Sequence, residues 1–164
     1  GASVVAADLR LARLGLVGDN AERLGHDMAL VASDGRLPPF RPGAFDRVLV
    51  DAPCSGLGVL RRRADARWRS SPADVEEVAD LQVALLTAAV EMVRPGGLLF
   101  YSVCTLTSAE TAGVDRRFRE ATGLASGSSP GPPWRPHGDD GAGGLLLPQD
   151  LDSEGMAVFR YRID

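Results

Sequence analysis

Val48-Leu49-Val50-Asp51-Ala52-Pro53-Cys54-Ser55-Gly56 is the stretch that decides the fold of this chain. A short aliphatic run breaks off into an acid, a proline and a cysteine, the pattern of a buried strand that delivers a reactive loop at its carboxyl end. A second such run, Leu98-Leu99-Phe100-Tyr101-Ser102-Val103, ends in Cys104 and Thr105 and supplies the other of the chain's two cysteines. The two thiols thus occupy equivalent places at the ends of two strands, and a parallel sheet would bring both to one crevice.

The residues between the two runs support a parallel pairing. Ser71, Pro72 and Asp74 form a cap, a first-turn proline and an acid at the third position, and they open an amphipathic helix carrying Val75, Val78, Leu81, Leu85, Ala88, Ala89 and Met92. Arg94-Pro95-Gly96-Gly97 stops it. A helix joining two strands of one sheet is a crossover, which parallel strands require.

Upstream the order is again strand, acid, helix. Ser3 to Ala7 is β-compatible and runs into Asp8; Leu11, Leu14, Val17, Ala21 and Leu24 follow at helical spacing, with Gly25 available as a cap. Met28 to Ala32 reads as a strand closing on Ser33-Asp34-Gly35-Arg36, and Pro38, Pro39, Pro42 and Gly43 make an irregular link to the Asp51 strand. Past Cys104, Thr107 with Glu110 reads as a capping box for a helix to Ala121. Gly123 to Gly144 is rich in glycine, proline and serine and reads as a mobile loop, and Met156 to Ile163 as the last strand. Alternating strands and helices give an α/β class with a doubly wound sheet.

At 164 residues, 45% of them hydrophobic, the chain is expected to be one domain over 1–164. No apolar run approaches the roughly 18 residues of a membrane span, and no basic-then-apolar export pattern opens the chain, so a soluble, cytoplasmic protein with reduced thiols is expected. The net charge of −4 gives no overall signature for a polyanion. All 18 basic residues are arginine, a bias that GC-rich coding explains as well as any physical demand. His26 and His137 are isolated, and no Cys and His cluster has metal-ligand spacing, so no metal site is expected.

Asp8, Asp34 and Asp51 each follow a strand. There a carboxylate is placed to accept hydrogen bonds from ribose hydroxyls or an adenine amino group, although turn and cap chemistry uses aspartate in the same way. Arg61, Arg62, Arg63, Arg67, Trp68 and Arg69 form the dense basic stretch, readable as a nucleic-acid contact or as a solvated face. Each cysteine is either a reactive thiol or a small buried hydrophobe.

The motifs resemble a known family. Asp51-Ala52-Pro53-Cys54-Ser55-Gly56 followed by Leu57-Gly58-Val59-Leu60-Arg61-Arg62 is similar to the fourth motif of the RNA cytosine-5 methyltransferases, in particular the bacterial 16S rRNA enzymes of RsmB/Sun type. Tyr101-Ser102-Val103-Cys104-Thr105-Leu106, followed by Glu110, resembles their sixth motif, with Val103 where the family usually has threonine. Val4-Val5-Ala6-Ala7-Asp8 is similar to the second motif, Asp34-Gly35-Arg36 to the third, and Leu147-Pro148 with Met156-Ala157-Val158-Phe159 to the closing strand.

The resemblance implies a Rossmann-like class I methyltransferase fold and transfer of a methyl group from S-adenosylmethionine to carbon 5 of a cytosine in RNA, with 16S rRNA as the partner. It makes Cys104 the nucleophile at carbon 6, Cys54 the cysteine that assists release, and Asp51 a carboxyl group beside cofactor and cytosine. Asp8 and Asp34 match the positions that hold ribose and adenine, and Arg61 and Arg62 those facing RNA. Both cysteines and the three aspartates are expected to converge on one cleft. The family's first motif, a strand with a glycine-rich loop, belongs before Ser3, where the chain has two residues; a carboxyl-terminal part of a longer protein that alone binds cofactor weakly is therefore expected. The rival readings are a catalytically incompetent RNA-binding fragment, a methyltransferase of the same fold acting on another RNA or on DNA, and a cysteine phosphatase suggested by Cys54 and Arg61, whose spacing is one residue too long for that chemistry.

Overall fold

Strands β3 (Phe45–Asp51) and β4 (Val93–Val103) lie side by side and parallel, with Val48 opposite Leu99 and Asp51 opposite Ser102. The structure is a computed structural model that describes residues 1–164 apart from the side chains of Arg67 and Arg69. Helix α3 (Pro72–Val90) makes the crossover, and its start is the expected one: the Ser71 hydroxyl accepts from Asp74 N while the Asp74 carboxylate accepts from Ser71 N. Its most deeply buried face carries Ala79, Gln82, Leu86 and Ala89, one step round from the stripe read in the sequence. That stripe's Val75, Val78, Leu81 and Leu85 are half-buried, and Met92 lies past the helix end. Arg94-Pro95-Gly96-Gly97 belongs to β4, which therefore begins at Val93 rather than at Leu98 and shifts register against β3 between Phe45 and Arg47.

The core is built on β4 and its other neighbour, β7 (Met156–Arg162), which runs antiparallel to it. The cross-strand pairs Leu99 with Tyr161, Tyr101 with Phe159 and Val103 with Ala157 are all buried on one face. Alternation of period two along both strands produces this face, and aromatic cross-strand pairs stabilise it. Helix α4 (Ala112–Thr122) packs Phe118 edge-on against Tyr161 at 4.7 Å between ring centroids. Strand β6 (Gly143–Leu146) pairs with β7, and β5 (Arg135–His137) with β6, giving a five-stranded sheet in the order β3-β4-β7-β6-β5; the short helix α2 (Ala66–Arg69) precedes α3.

Part of the stretch Gly123 to Gly144 is therefore strand. Long-range partners that local composition does not reveal hold it: Ser126 donates to the Asp115 carboxylate at 2.6 Å, Gly127 N to Arg160 O at 2.6 Å, and the Arg160 guanidinium to Ser128 Oγ at 3.0 Å. Helix α4 begins at Ala112, later than the expected capping box: Thr107 Oγ1 does accept from Glu110 N at 3.4 Å, but it donates to the Glu110 carboxylate at 2.8 Å, and that carboxylate is directed to other donors as well.

The described residues form two compact units, Gly1–Phe40 and Arg41–Asp164. The elements above make up the second. The first holds β1 (Val5–Asp8) and β2 (Ala29–Ala32), parallel from Val5 opposite Ala29 to Asp8 opposite Ala32, joined by α1 (Leu11–Arg23). Within α1 only Leu14 and Ala21 are buried, and Leu11 is 74% exposed, because two strands offer little surface to a helix. The strands form two sheets: among the described residues, β1 has β2 as its one hydrogen-bonded neighbour and β3 has β4.

Candidate active site

In the second unit, β3 and β4 end together and the two cysteines come into contact. Ala52 N donates to Ser102 O at 3.0 Å, which carries the parallel pairing one residue beyond β3 and aligns the loop that follows with the end of β4. Pro53 then turns the chain, and the sulfurs of Cys54 and Cys104 lie 3.1 Å apart, both half-buried. Gly56, at φ +73°, occupies the left-handed region that glycine tolerates.

The thiols share a hydrogen bond, and the pair titrates as a unit. Cys54, hydrogen-bonded to Cys104 and more enclosed, is pushed up. Cys104 is lowered to about 7: the Cys54 thiol donating to it outweighs partial burial and the negative charges of Asp51 and Glu154. Cys104 is therefore the more acidic of the two thiols and the one that reaches its thiolate form more readily near neutral pH.

Behind the sulfurs lies a polar cluster that motif reading leaves without a role. Glu110 is fully buried, and its carboxylate accepts from Ser55 N at 2.7 Å and Ser55 Oγ at 2.5 Å, from Thr105 Oγ1 at 3.0 Å, from Thr107 Oγ1 at 2.8 Å and from Gln82 Nε2 at 3.3 Å. Gln82 also donates to Pro53 O at 2.7 Å, and Tyr101 Oη lies 2.8 Å from Gln82 Oε1 and 2.6 Å from Glu110 O. Burial and the Glu110 charge together push the Tyr101 phenol up. The sequence signal for Gln82 is a polar residue on an otherwise apolar helix; for Glu110 it is the glutamate that follows the Cys104 motif.

Of the other site residues expected, Asp51 closes β3 and is close enough to Cys104 for its charge to be felt there. Arg61 and Arg62 follow the Cys54 loop but are occupied: Arg61 donates to Asp152 at 2.5 Å, and Arg62 Nε lies 2.8 Å from Glu154 Oε1. Both ion pairs are largely exposed and so contribute little to stability. The side chains of Arg67 and Arg69, part of the same basic stretch, lie outside the described residues.

Asp8 and Asp34 sit at the strand ends of the first unit, as expected. Asp8 accepts from Arg10 N at 2.7 Å. Asp34 forms a forked ion pair with Arg36, whose Nη2 lies 2.6 Å from Oδ2, and this pairing lowers the carboxyl to about 2. His137 bonds Thr111 Oγ1 at 2.9 Å and is lowered by burial. Among the described residues no group of His, Cys, Asp and Glu is arranged to hold a metal ion, and no helix is long and apolar enough to cross a membrane.

The chain is 39% identical over 137 residues to the ribosomal RNA small subunit methyltransferase B of Salmonella paratyphi B, covering 82% of this chain and 32% of that one. It is 50% identical over 113 residues to a Mycobacterium tuberculosis protein that carries a methyltransferase name, covering 69% of this chain and 24% of that one. The chain thus spans 24% to 32% of the length of these relatives. The crystal structure of NSun6 from Pyrococcus horikoshii with SFG superposes with a TM-score of 0.83 at 29% identity, over 98% of this chain and 41% of that one. The fold is the α/β, Rossmann-like fold of the S-adenosylmethionine-dependent methyltransferases. The family model for 16S rRNA methyltransferase RsmB/F matches residues 1–126, and this chain belongs to that family.

Proposed function

We propose that the chain is a methyltransferase catalytic domain, acting in the cytoplasm, that methylates carbon 5 of a cytosine in RNA, with 16S rRNA as the substrate class the family suggests. The observation that carries the reading is the contact of two thiols at 3.1 Å, with the more acidic of them at the end of β4.

Carbon 5 of cytosine is a poor nucleophile. A thiolate adding at carbon 6 makes the ring electron-rich, so the covalent step is what the reaction needs from the protein. Cys104 supplies that thiolate. Asp51 is placed to bond the ring nitrogen as negative charge moves onto it. Once carbon 5 carries its new substituent, loss of the carbon-5 proton expels Cys104, and Cys54 assists this release. The target base must first be turned out of its stack to reach the sulfur.

The residues present fit S-adenosylmethionine: Asp8 and Asp34 close parallel strands, and both carboxylates keep partial exposure, so each can accept from ribose hydroxyls or an adenine amino group. When bound, the cofactor supplies an electrophilic methyl group. Asp34 would exchange part of its Arg36 pairing for that contact. Arg61 and Arg62 would exchange Asp152 and Glu154 for RNA phosphates.

The test, made in the full-length protein, is label transfer from S-adenosylmethionine to unmodified 16S rRNA. Cys104→Ala should abolish methylation, and Cys54→Ala should accumulate a covalent RNA adduct. If neither change affects transfer, the thiols are structural.

A further inference from the structure

The two cysteines sit on loops 50 residues apart in sequence, yet their sulfurs touch. Beyond Ala52, where the β3–β4 pairing ends, one backbone bond, Gly58 N to Cys104 O at 3.1 Å, links the loops, and side chains must fix the register of the cysteines themselves. The residue following each cysteine answers the question. Ser55 after Cys54 and Thr105 after Cys104 both donate to the carboxylate of Glu110, and their hydroxyls lie 3.1 Å from each other. Gln82 of α3 closes the arrangement by donating to Glu110 and to the carbonyl of Pro53, the residue before Cys54.

Glu110 is an expensive residue to bury: a carboxylate without charge compensation costs several kcal/mol unless hydrogen bonds replace its hydration. Among the described residues no basic side chain pairs with it, and five donors carry the whole compensation. Capping does not explain it. Helix α4 begins at Ala112 with Thr111 at its cap, and no backbone amide of that helix donates to the Glu110 side chain among the described contacts. What its five donors have in common is the thiol loops: three lie on the residues directly after the cysteines, one on Thr107 of the same loop as Cys104, and one on the side chain that braces Pro53.

We propose that Glu110 is a positioning residue for the two-thiol chemistry: a single buried carboxylate clamps the Cys54 and Cys104 loops together and so sets the contact between their sulfurs. The proposal rests on the reading of Cys104 as the nucleophile. A shorter side chain could not reach both loops, and an amide, which accepts through one atom, could not receive Ser55 N on one side and three hydroxyls on the other.

The groups facing Cys104 are Cys54, Asp51 and Glu154, so its acidity reports how close the Cys54 thiol is held. The experiment compares wild type with Glu110→Gln in the whole chain, following the pH dependence of Cys104 alkylation by iodoacetamide with mass spectrometry, with circular dichroism to confirm folding. Loosening the clamp should raise the alkylation midpoint from about 7 toward the ordinary thiol value of about 8.5. Removal of the negative charge alone would move it the other way, so the direction of the shift separates a clamp from a charge effect. Methyl transfer in Glu110→Gln should fall about tenfold at pH 7, recover near pH 9, and leave KM for RNA unchanged, whereas a smaller folded fraction would lower it equally at every pH. Ser55→Ala, which removes one hydroxyl donor and leaves the carboxylate, should shift the midpoint the same way by a smaller amount, and it serves if Glu110→Gln does not fold. A midpoint unchanged or lowered in a folded variant overturns the proposal. Methyl transfer surviving Cys104→Ala would overturn the catalytic reading, while the thiol titration would still report on the clamp.

Discussion

Gly58 donates its backbone N–H to the carbonyl of Cys104 at 3.1 Å, and its own carbonyl accepts from Gly155 N at 2.9 Å. Three segments thereby meet at one residue without a side chain. A Cβ built at Gly58 would lie 2.1 Å from Gly155 O and 2.8 Å from Cys104 O, and both are backbone atoms that cannot swing aside. Gly58→Ala should therefore cost about 1–3 kcal/mol by overpacking. Because the atom displaced is the carbonyl of Cys104, methyl transfer should fall by more than the loss of stability explains. Urea unfolding together with label transfer at a temperature where the variant stays folded checks both parts.

The acidity of Cys104 predicts a pH profile. Below about 7 the thiol is protonated, so methyl transfer should fall roughly tenfold for each pH unit and level off above that value. The sign follows from the cause: a thiol whose charged form is stabilised loses its nucleophile as pH falls through the lowered value. Cys54→Ala removes the donated hydrogen bond and should move alkylation of Cys104 up toward about 8.5. An unchanged midpoint in that variant would show that the sulfurs are not coupled.

Gln82 and Tyr101 form a buried polar pair whose members depend on each other. Gln82→Leu strands the Pro53 carbonyl and takes a donor from Glu110, which should cost about 1–3 kcal/mol. Tyr101→Phe removes one hydroxyl but leaves Gln82 with its other partners, and about 1 kcal/mol is expected. A double-mutant cycle by chemical denaturation should show the two changes to be non-additive by more than about 0.5 kcal/mol.

Arg61 and Arg62 are each held by an acid on the loop before β7. If RNA phosphates take over these partners, Arg61→Ala should weaken RNA binding and reduce the slope of log affinity against log salt by about one. Asp152→Ala should strengthen binding at low salt, because the arginine no longer has to leave a partner. Filter binding of a 16S rRNA fragment across salt concentrations measures both. Equal salt slopes in wild type and Arg61→Ala would remove Arg61 from the interface.

What could be read from the sequence was whatever depends on local pattern. The strand ends at Asp51 and Val103, the capping box at Ser71 and Asp74, and the parallel pairing implied by the crossover helix all follow from short stretches whose side chains act on their own neighbourhood. Expectation and structure part where partners are remote. Residues 135–137 form β5 because β6 is beside them, and β6 because β7 is; composition there signals only glycine and proline. Leu11 and Leu24 have helical spacing, yet they remain exposed in a unit whose sheet has two strands. By local pattern Glu110 with Thr107 reads as a capping box. Its donors come from Ser55 and Gln82, 55 and 28 residues away, and no period in the sequence records that convergence.

The same convergence ties reactivity to folding. The carboxylate gathers its donors only when the Cys54 loop, α3 and the end of β4 have reached their final places, and the hydrogen bond that acidifies Cys104 forms at that point. An unfolded or half-closed chain carries two ordinary thiols, mostly protonated at neutral pH and slow toward oxidants and electrophiles. The acidity of Cys104 is thus a property of the closed β3–α3–β4 unit, acquired with the topology and lost with it.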